Sequence, residues 1–288
     1  MKKILITGAT GNIGLTLIKY IDKIKLDNKI IAGLRDLNDK ERFSQYSDID
    51  FVLFDFENEA TFDNALKDID RVFLLRPPHI SDIDKYFKPL FDKFKEYKIN
   101  DIVFLSVQGA EISKVIPHNK IERLIKEYQF NYIFIRPSYF MQNLTTTLLN
   151  GIKEKNEIVL PSGNAKFNWV DVENISEVCA ILLIEFDKYL NKSFEITGYE
   201  NLSYPDVVKL MNKSLKHNIK YISMNPISFY FYKRREGLSS GFAIVMLILH
   251  FLPRFQDEPK ISRFYEELTN KKPSSINEFI NREKNKWE

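Results

Sequence analysis

A single cysteine, Cys179, stands in 288 residues. One thiol excludes an internal disulfide framework and a cysteine-based zinc site. Set in Val178-Cys179-Ala180-Ile181, it reads as a small core residue and not as a nucleophile. Excess charge is scarce as well. The formal net of +3 is too small and too evenly spread for a nucleic-acid binder. Four scattered histidines show no ligand spacing, so no metal is expected. Long apolar runs are also missing. The most apolar stretch, Phe242 to Leu252, is interrupted by His250 and stopped by Pro253, short of the ~20 residues that span a bilayer. It is expected to be a buried helix or a pocket wall. No Gly/Ser linker, repeat or low-complexity block marks a detached domain. A strand begins at once, which leaves no room for a signal peptide, so a cytoplasmic location without a membrane partner is the expectation.

What is present begins at Ile4. The run Ile4-Leu-Ile-Thr7 leads straight into Gly8-Ala9-Thr10-Gly11-Asn12-Ile13-Gly14, and an amphipathic stretch follows with Leu15, Leu17, Ile18 and Ile21. That order is strand, tight turn, helix. A helix start carries free N–H groups that favour an anion. Gly8 lets the chain turn, Gly11 removes a side chain where a diphosphate approaches, and Gly14 lets the helix pack close to the strand. The spacing is G-x-x-G-x-x-G, one residue longer in its first gap than the commonest dinucleotide fingerprint. The flanking strand and helix favour a dinucleotide site over a purely structural glycine turn.

The first half alternates short apolar strands with helical patterns. Strands are predicted at Lys3–Thr7, Lys29–Leu34, Phe51–Phe54, Arg71–Leu75, Ile102–Ser106 and Tyr132–Ile135. Helices are predicted at Ile13–Ile24, Asp39–Tyr46, Asn58–Leu66, Ile83–Tyr97 and Pro117–Tyr128. Repeated β-α units with right-handed crossovers give an α/β fold with a doubly wound parallel sheet. Beyond Pro137 the pattern is mixed. A helix is expected at Met141–Asn150, short strands near Ile158 and at Phe167–Val170, and a helix from an Asp171 cap to about Glu185. A strand at Ser193–Ile196, a helix from Ser203 with Pro205 and Asp206, and a strand at Ile219–Ile222 come next. Residues 1–288 therefore read as one domain: a dinucleotide-binding core over 1–140 and a smaller, interwoven, mixed α/β substrate-side region over 141–288.

In such folds ligands lie beyond the carboxyl ends of the strands. After the second strand, Arg35 suits the 2′-phosphate of NADP, Asp36 the ribose of NAD, and a solvated turn is the alternative for Arg35. After the third, Asp55 and Phe56 could hold an adenine by carboxylate and ring, or Asp55 could cap the next helix. Leu75 and Arg76 end the fourth strand. The prolines behind them stiffen a loop from which Arg76 could reach a phosphate or substrate. Ser106 ends the fifth strand, either near a nicotinamide or as a turn former. The aromatic C-terminal half (Phe229, Tyr230, Phe231, Tyr232, Phe242, Phe251) is core, or else it walls a pocket for a flat ring.

These residues resemble the short-chain dehydrogenase/reductase superfamily, and within it the atypical NmrA-like branch. The resemblance rests on Thr7-Gly8-Ala-Thr-Gly11-Asn-Ile-Gly14, Gly33-Leu-Arg35-Asp36, Phe104-Leu-Ser106, His118-Asn-Lys-Ile-Glu122, Arg136-Pro137-Ser138-Tyr139-Phe140-Met141-Gln-Asn143, Thr197-Gly198 and Lys271-Lys-Pro273. It covers nearly the whole chain. It implies a Rossmann-like fold, diphosphate on the glycine loop, NADP selected by Arg35 with NAD possible, and the segment Pro137, Ser138, Tyr139, Phe140 beside the nicotinamide. The branch contains NAD(P)H:quinone reductases, azoreductase-like enzymes and cofactor-sensing regulators.

One departure matters. Typical superfamily reductases carry Tyr-x-x-x-Lys, whose tyrosine protonates a carbonyl. Counted back from Glu122, the lysine position is His118 and the tyrosine position is Lys114. Pro117 would start that helix. With the acid missing, hydride transfer to a quinone- or azo-like small-molecule acceptor remains open, because the cofactor carries the chemistry. His118 could hydrogen-bond the nicotinamide ribose or donate a proton, since its charge changes near neutral pH, or it could simply face solvent. Ser106 and Tyr139 are further catalytic candidates. His79 is expected to be exposed, and His217 and His250 have no assigned role. A redox-sensing regulator with a protein partner is the alternative. Homo-oligomerisation is open, and nucleotide-sugar epimerase chemistry is disfavoured because it too needs the tyrosine.

Overall fold

Six of the predicted strands fall where the apolar runs stand. In the computed structural model, which describes residues 2–24, 28–114, 116–215 and 218–288, they are β1 (Lys3–Ile6), β2 (Lys29–Leu34), β3 (Ile49–Leu53), β4 (Arg71–Leu75), β5 (Asp101–Leu105) and β6 (Asn131–Pro137). A seventh, β7 (Lys192–Ile196), completes a sheet in the order β7-β6-β5-β4-β1-β2-β3, with every pairing parallel. The order reverses between β1 and β4. That is the switch point where ligands bind in open α/β sheets.

Alternation along each strand sends side chains to opposite faces. Leu5, Val72, Leu74, Ile102, Phe104 and Phe134 join a buried cluster with residues of α2 (Phe62–Leu66), α3 (Ile83–Glu96) and α4 (Pro117–Glu127). Elsewhere α1 (Asn12–Ile24) packs on α5 (Val172–Ile184), and Lys19 bonds Glu173 at 2.8 Å. Cys179 lies fully buried on α5, and burial pushes its thiol up, as befits a core residue.

The chain divides into two compact units. The first comprises Met1–Pro137 and Val172–Ile196, the second Ser138–Asp171 and Thr197–Glu288. The helix and strand of Val172–Ile196, grouped by sequence with the substrate-side region, thus belong to the sheet unit. The second unit holds its own core around Phe167, Trp169, Tyr204, Met211, Phe279 and Trp287. Its strand Lys166–Val170 pairs with Tyr139–Phe140 and Asn201–Ser203, and Glu157–Leu160 pairs with Lys220–Ser223.

Three predicted helices differ. The expected Asp39–Tyr46 helix is a 3₁₀ segment, Leu37–Phe43, because Asp36 caps it through Asn38 N and Phe43 is its one buried residue. Asn58–Leu66 begins as a 3₁₀ turn, Glu59–Thr61, capped by Asn58, before α2. Met141–Asn150 splits into a 3₁₀ turn, Met141–Thr145, and a helix, Leu149–Lys155. Both Thr145 and Thr146 donate their hydroxyls back to Gln142 O, at 3.1 and 2.8 Å, in competition with the backbone ladder. The Phe242–Leu252 run does form a helix, Ser240–Phe251, yet only Ala243, Met246 and His250 of it are buried. Phe242 and Met246 line a cavity with Tyr232 and Lys233, so of the two expectations, buried helix or pocket wall, the run meets the second in part and not the first.

Candidate functional site

Thr7 fixes the switch point. Its hydroxyl donates to Phe73 O at 3.1 Å and accepts from Leu75 N at 2.9 Å, which ties the ends of β1 and β4 together. Gly8 then takes φ +62°, a left-handed conformation that a side chain resists, and Gly11 N closes the turn on Gly8 O at 3.0 Å. A Cβ at Gly14 would sit 2.4 Å from Gly8 O and 2.6 Å from Ala9 Cα, so glycine alone permits this helix–loop contact. The first α1 bond runs from Leu15 N to Gly11 O, and the amides of Asn12, Ile13 and Gly14 precede it. Ala9 and Ile13 turn their side chains inward, whereas Gly11 and Asn12 are exposed and Thr10 is half-buried. A Cβ at Gly11 would meet only Gly8 O. A bare, amide-lined helix start at the switch point fits a diphosphate.

Further strand ends surround this turn. Leu75 lies over Gly8, 3.1 Å from a Cβ placed there. Arg35 is exposed at the end of β2, while Asp36 Oδ1 accepts from Asn38 N at 2.9 Å. Asp36 thus caps the 3₁₀ segment that follows β2. Asp55 Oδ1 accepts from Glu57 N at 3.0 Å, a local turn bond, and Asn58 caps the next segment in its place. Phe56 is buried, edge-on to Phe54 and packed on Phe87. Its ring belongs to the core and is not offered to an adenine, contrary to expectation. Arg76 also differs from expectation. Its Nη1 donates to the carbonyls of Pro77, Pro78 and Ile80, latching the proline loop, and its Nε is buried without a partner among the described residues. Burial lowers its pKa.

The catalytic candidates of this unit are held or neutral. Ser106 is buried and donates to Glu122 Oε1 at 2.6 Å. Glu122 in turn receives Arg136 Nε at 2.9 Å and Nη2 at 2.6 Å, and Arg136 Nη1 reaches Glu111 at 2.9 Å. Ser106 is therefore a member of a buried charge network and not a free hydroxyl. His118 stands in the first turn of α4, behind Pro117, half-buried with its ring 6.1 Å from that of Phe104. Burial, and then the charge of Arg76, depress its pKa to about 3. The ring is thereby held toward its neutral form. In that form it can still donate a hydrogen bond. Next to it Asn119 gives Nδ2 to Ala110 O at 2.7 Å and leaves Oδ1 buried without a partner among the described residues. Pro137 is buried at the end of β6, and its carbonyl accepts from Gln108 N at 2.9 Å.

Ser138, Tyr139 and Phe140 lie in the second unit. Ser138 donates to Asn168 Oδ1 at 2.6 Å, and the same oxygen receives Gly198 N at 2.8 Å. Phe140 is half-buried in the pairing with Val170. Tyr139 presents a finding that sequence reasoning missed. Its hydroxyl lies 2.7 Å from the Tyr204 hydroxyl and 2.8 Å from His250 Nε2, and His250 Nδ1 lies 2.7 Å from Met246 O. A carbonyl only accepts, so Nδ1 carries the hydrogen and Nε2 accepts from Tyr139, which then accepts from Tyr204. Burial raises the Tyr139 and Tyr204 pKa values and pushes His250 down to about 4. The Tyr139 proton thus points at His250 and is not poised for a substrate. No sequence signal could have paired residues 111 positions apart. His79 is exposed as expected, 3.2 Å from Glu57, and His217 lies outside the described residues. Among the described residues no His/Cys/Asp/Glu group could hold a metal.

With this geometry in place, comparison with known proteins is informative. The model of the NmrA-like family matches residues 1–280. Prestalk A differentiation protein A of Dictyostelium discoideum is 27% identical over 276 residues, 96% of this chain and 90% of that protein. The NAD(P)H azoreductase of Xenophilus azovorans is 25% identical over 231 residues, 77% of each. Among solved structures, the NADPH-dependent quinone oxidoreductase of Escherichia coli in complex with NADPH superposes with a TM-score of 0.83 at 17% identity, over 97% of this chain and 99% of that one. That likeness shows the shared fold.

Proposed function

Since this chain belongs to the NmrA-like family, we propose that it is an NAD(P)H-dependent oxidoreductase passing a hydride to a small quinone- or azo-like acceptor without a side-chain acid. The observation that carries this reading is the glycine cradle at the β1/β4 switch point, whose Gly14 tolerates no Cβ. The amides of Asn12, Ile13 and Gly14 bind a diphosphate. Arg35 takes the 2′-phosphate of NADP, with Asp36 held in its cap. Neutral His118 hydrogen-bonds a ribose hydroxyl. Bound reduced nicotinamide supplies the hydride. The three candidate acids, Ser106, His118 and Tyr139, are respectively hydrogen-bonded to Glu122, neutral, and turned to His250. The acceptor must therefore be one whose reduced, anionic form takes its proton from water, as quinones and azo compounds do.

The test is titration with NADPH followed by a quinone and azo panel. Saturable binding and steady NADPH oxidation are expected, both weakened roughly a hundredfold by Gly11→Asp, which sets a carboxylate against the diphosphate. Failure of the native protein to bind any nicotinamide nucleotide overturns the reading. The same want of a free acid supports a second one, a dinucleotide-binding sensor. Tight binding that discriminates oxidised from reduced cofactor, with no turnover of any acceptor, would decide for it.

A further inference from the structure

Three arginines are withdrawn from water: Arg71, Arg76 and Arg136. Two of them are paired. Arg71 Nη2 lies 3.0 Å from Asp101, and Arg136 Nη2 lies 2.6 Å from Glu122. Arg76 has no carboxylate against it among the described residues, and burial alone shifts its pKa. Its Nη1 is taken up by the carbonyls of Pro77, Pro78 and Ile80, its Nε is buried without a partner, and its Nη2 makes no hydrogen bond among the described residues. Three carbonyls explain one nitrogen as a loop latch and leave the other two unexplained. A guanidinium drawn out of water without a counter-ion is costly. Its place in the fold is also specific. It follows β4, which lies between β1 and β5 in the sheet. On one side Leu75 overlies Gly8, and on the other the charge of Arg76 reaches His118 on α4 and helps to keep that ring neutral. An uncompensated, half-buried cation at the carboxyl ends of the strands marks an anion site.

We propose that Arg76 holds the negatively charged oxygen of the acceptor on the open edge of its guanidinium, at Nη2. The proposal rests on the reductase reading above. In that reading the diphosphate takes the amides of Asn12, Ile13 and Gly14 and the 2′-phosphate takes Arg35, which leaves the Arg76 cation for the acceptor. A quinone that gains a hydride becomes a hydroquinone monoanion, while the nicotinamide donor is oxidised. The charge rests on a ring oxygen until water supplies the one proton that completes the hydroquinone. Arg76 keeps its own proton throughout, so it steadies the anion without acting as an acid. A site whose candidate acids are all committed or neutral needs such a group. The carbonyls on Nη1 fix the guanidinium in advance, so little reorganisation is required when charge appears. An acceptor that bears a sulfonate or carboxylate from the start offers the same chemistry to the same cation.

The first test needs no turnover. Lawsone, a hydroxynaphthoquinone ionised at neutral pH, and menadione, an uncharged naphthoquinone, are titrated into the full chain without nucleotide. Lawsone is expected to bind about tenfold tighter or more. Arg76→Gln removes that difference, and Arg76→Lys, which keeps the charge without the planar fork, retains part of it. NADPH affinity is unchanged in both variants. Melting temperatures show which variants are folded, and the native comparison of lawsone with menadione stands whether or not they are. Steady-state rates then separate the two sources of charge. With menadione, Arg76→Gln lowers kcat at nearly constant KM if the charge arrives with the hydride, and with naphthoquinone sulfonate it raises KM if a fixed anion is held. Equal affinity of the native chain for lawsone and menadione, or no binding of lawsone, overturns the proposal. So does a folded Arg76→Gln variant that binds lawsone as before, which makes Arg76 a loop latch alone, or one that loses NADPH and lawsone together, which assigns the guanidinium to the cofactor. Failure of the native protein to bind any nicotinamide nucleotide sinks the reductase reading instead and leaves the lawsone comparison readable.

Discussion

Arg35 and Asp36 occupy neighbouring positions and have different fates. The aspartate is fixed by its bond from Asn38 N, while the arginine is exposed at the end of β2. A guanidinium on a phosphate makes charge-assisted, often bidentate bonds. Arg35→Ala is therefore expected to weaken NADPH binding roughly tenfold or more and leave NADH binding nearly unchanged. Parallel titrations with both nucleotides check this, and equal losses would show that Arg35 supports the fold and does not read the 2′-phosphate. Position by position, the glycine loop was legible because its logic is local: Gly8, Gly11 and Gly14 answer to each other within seven residues. Ser106, Arg76 and Tyr139 were not. What each one does is set by Glu122, by the carbonyls of a proline loop, and by His250, and side-chain commitments of that kind leave no periodic trace in a sequence.

At the level of elements, legibility followed burial. The strands β1, β2, β4, β5 and β6 carry buried apolar runs, and α1, α3 and α4 carry strong apolar stripes, so pattern and structure agree within two residues at each end, as they do for the edge strand β3, which buries only Val52. Agreement lapsed where the backbone is held by short polar side chains. Asp36 and Asn58 cap 3₁₀ turns, and two threonines break Met141–Asn150. The same chemistry helps where it sits at a proper helix start. Ser203 and Asp206 form a reciprocal capping box on the helix Tyr204–Ser214, with Ser203 Oγ accepting from Asp206 N. Ser203→Ala should cost about 1 kcal/mol of stability, and Ser203→Asp much less. Paired urea melts test the difference, and equal stabilities for the native and alanine forms would show the cap to be dispensable.

For the whole molecule, two histidines withdrawn from water, the half-buried His118 and the buried His250, make stability depend on pH. Burial holds His118 at about 3, with help from Arg76, and His250 at about 4, with Lys233 acting in the same direction and the Met246 carbonyl against it. An unfolded histidine titrates near 6.5. Below that value the unfolded chain takes up protons that the folded chain refuses. The stability these two groups allow is complete above about pH 6.5 and falls as the pH drops toward their folded values, by ~1.4 kcal/mol per pH unit for each histidine. Chemical denaturation from about pH 7 to about pH 5, above the range where ordinary carboxylates titrate, should show this slope. His250→Gln should remove about half of it whatever it does to stability at neutral pH, because a glutamine has no proton to gain. The slope, and not the intercept, reports the buried imidazole. A flat profile in the native protein would mean that one or both rings meet water, and for His250 that would undo the directed Tyr204–Tyr139–His250 chain which removes Tyr139 from the list of acids.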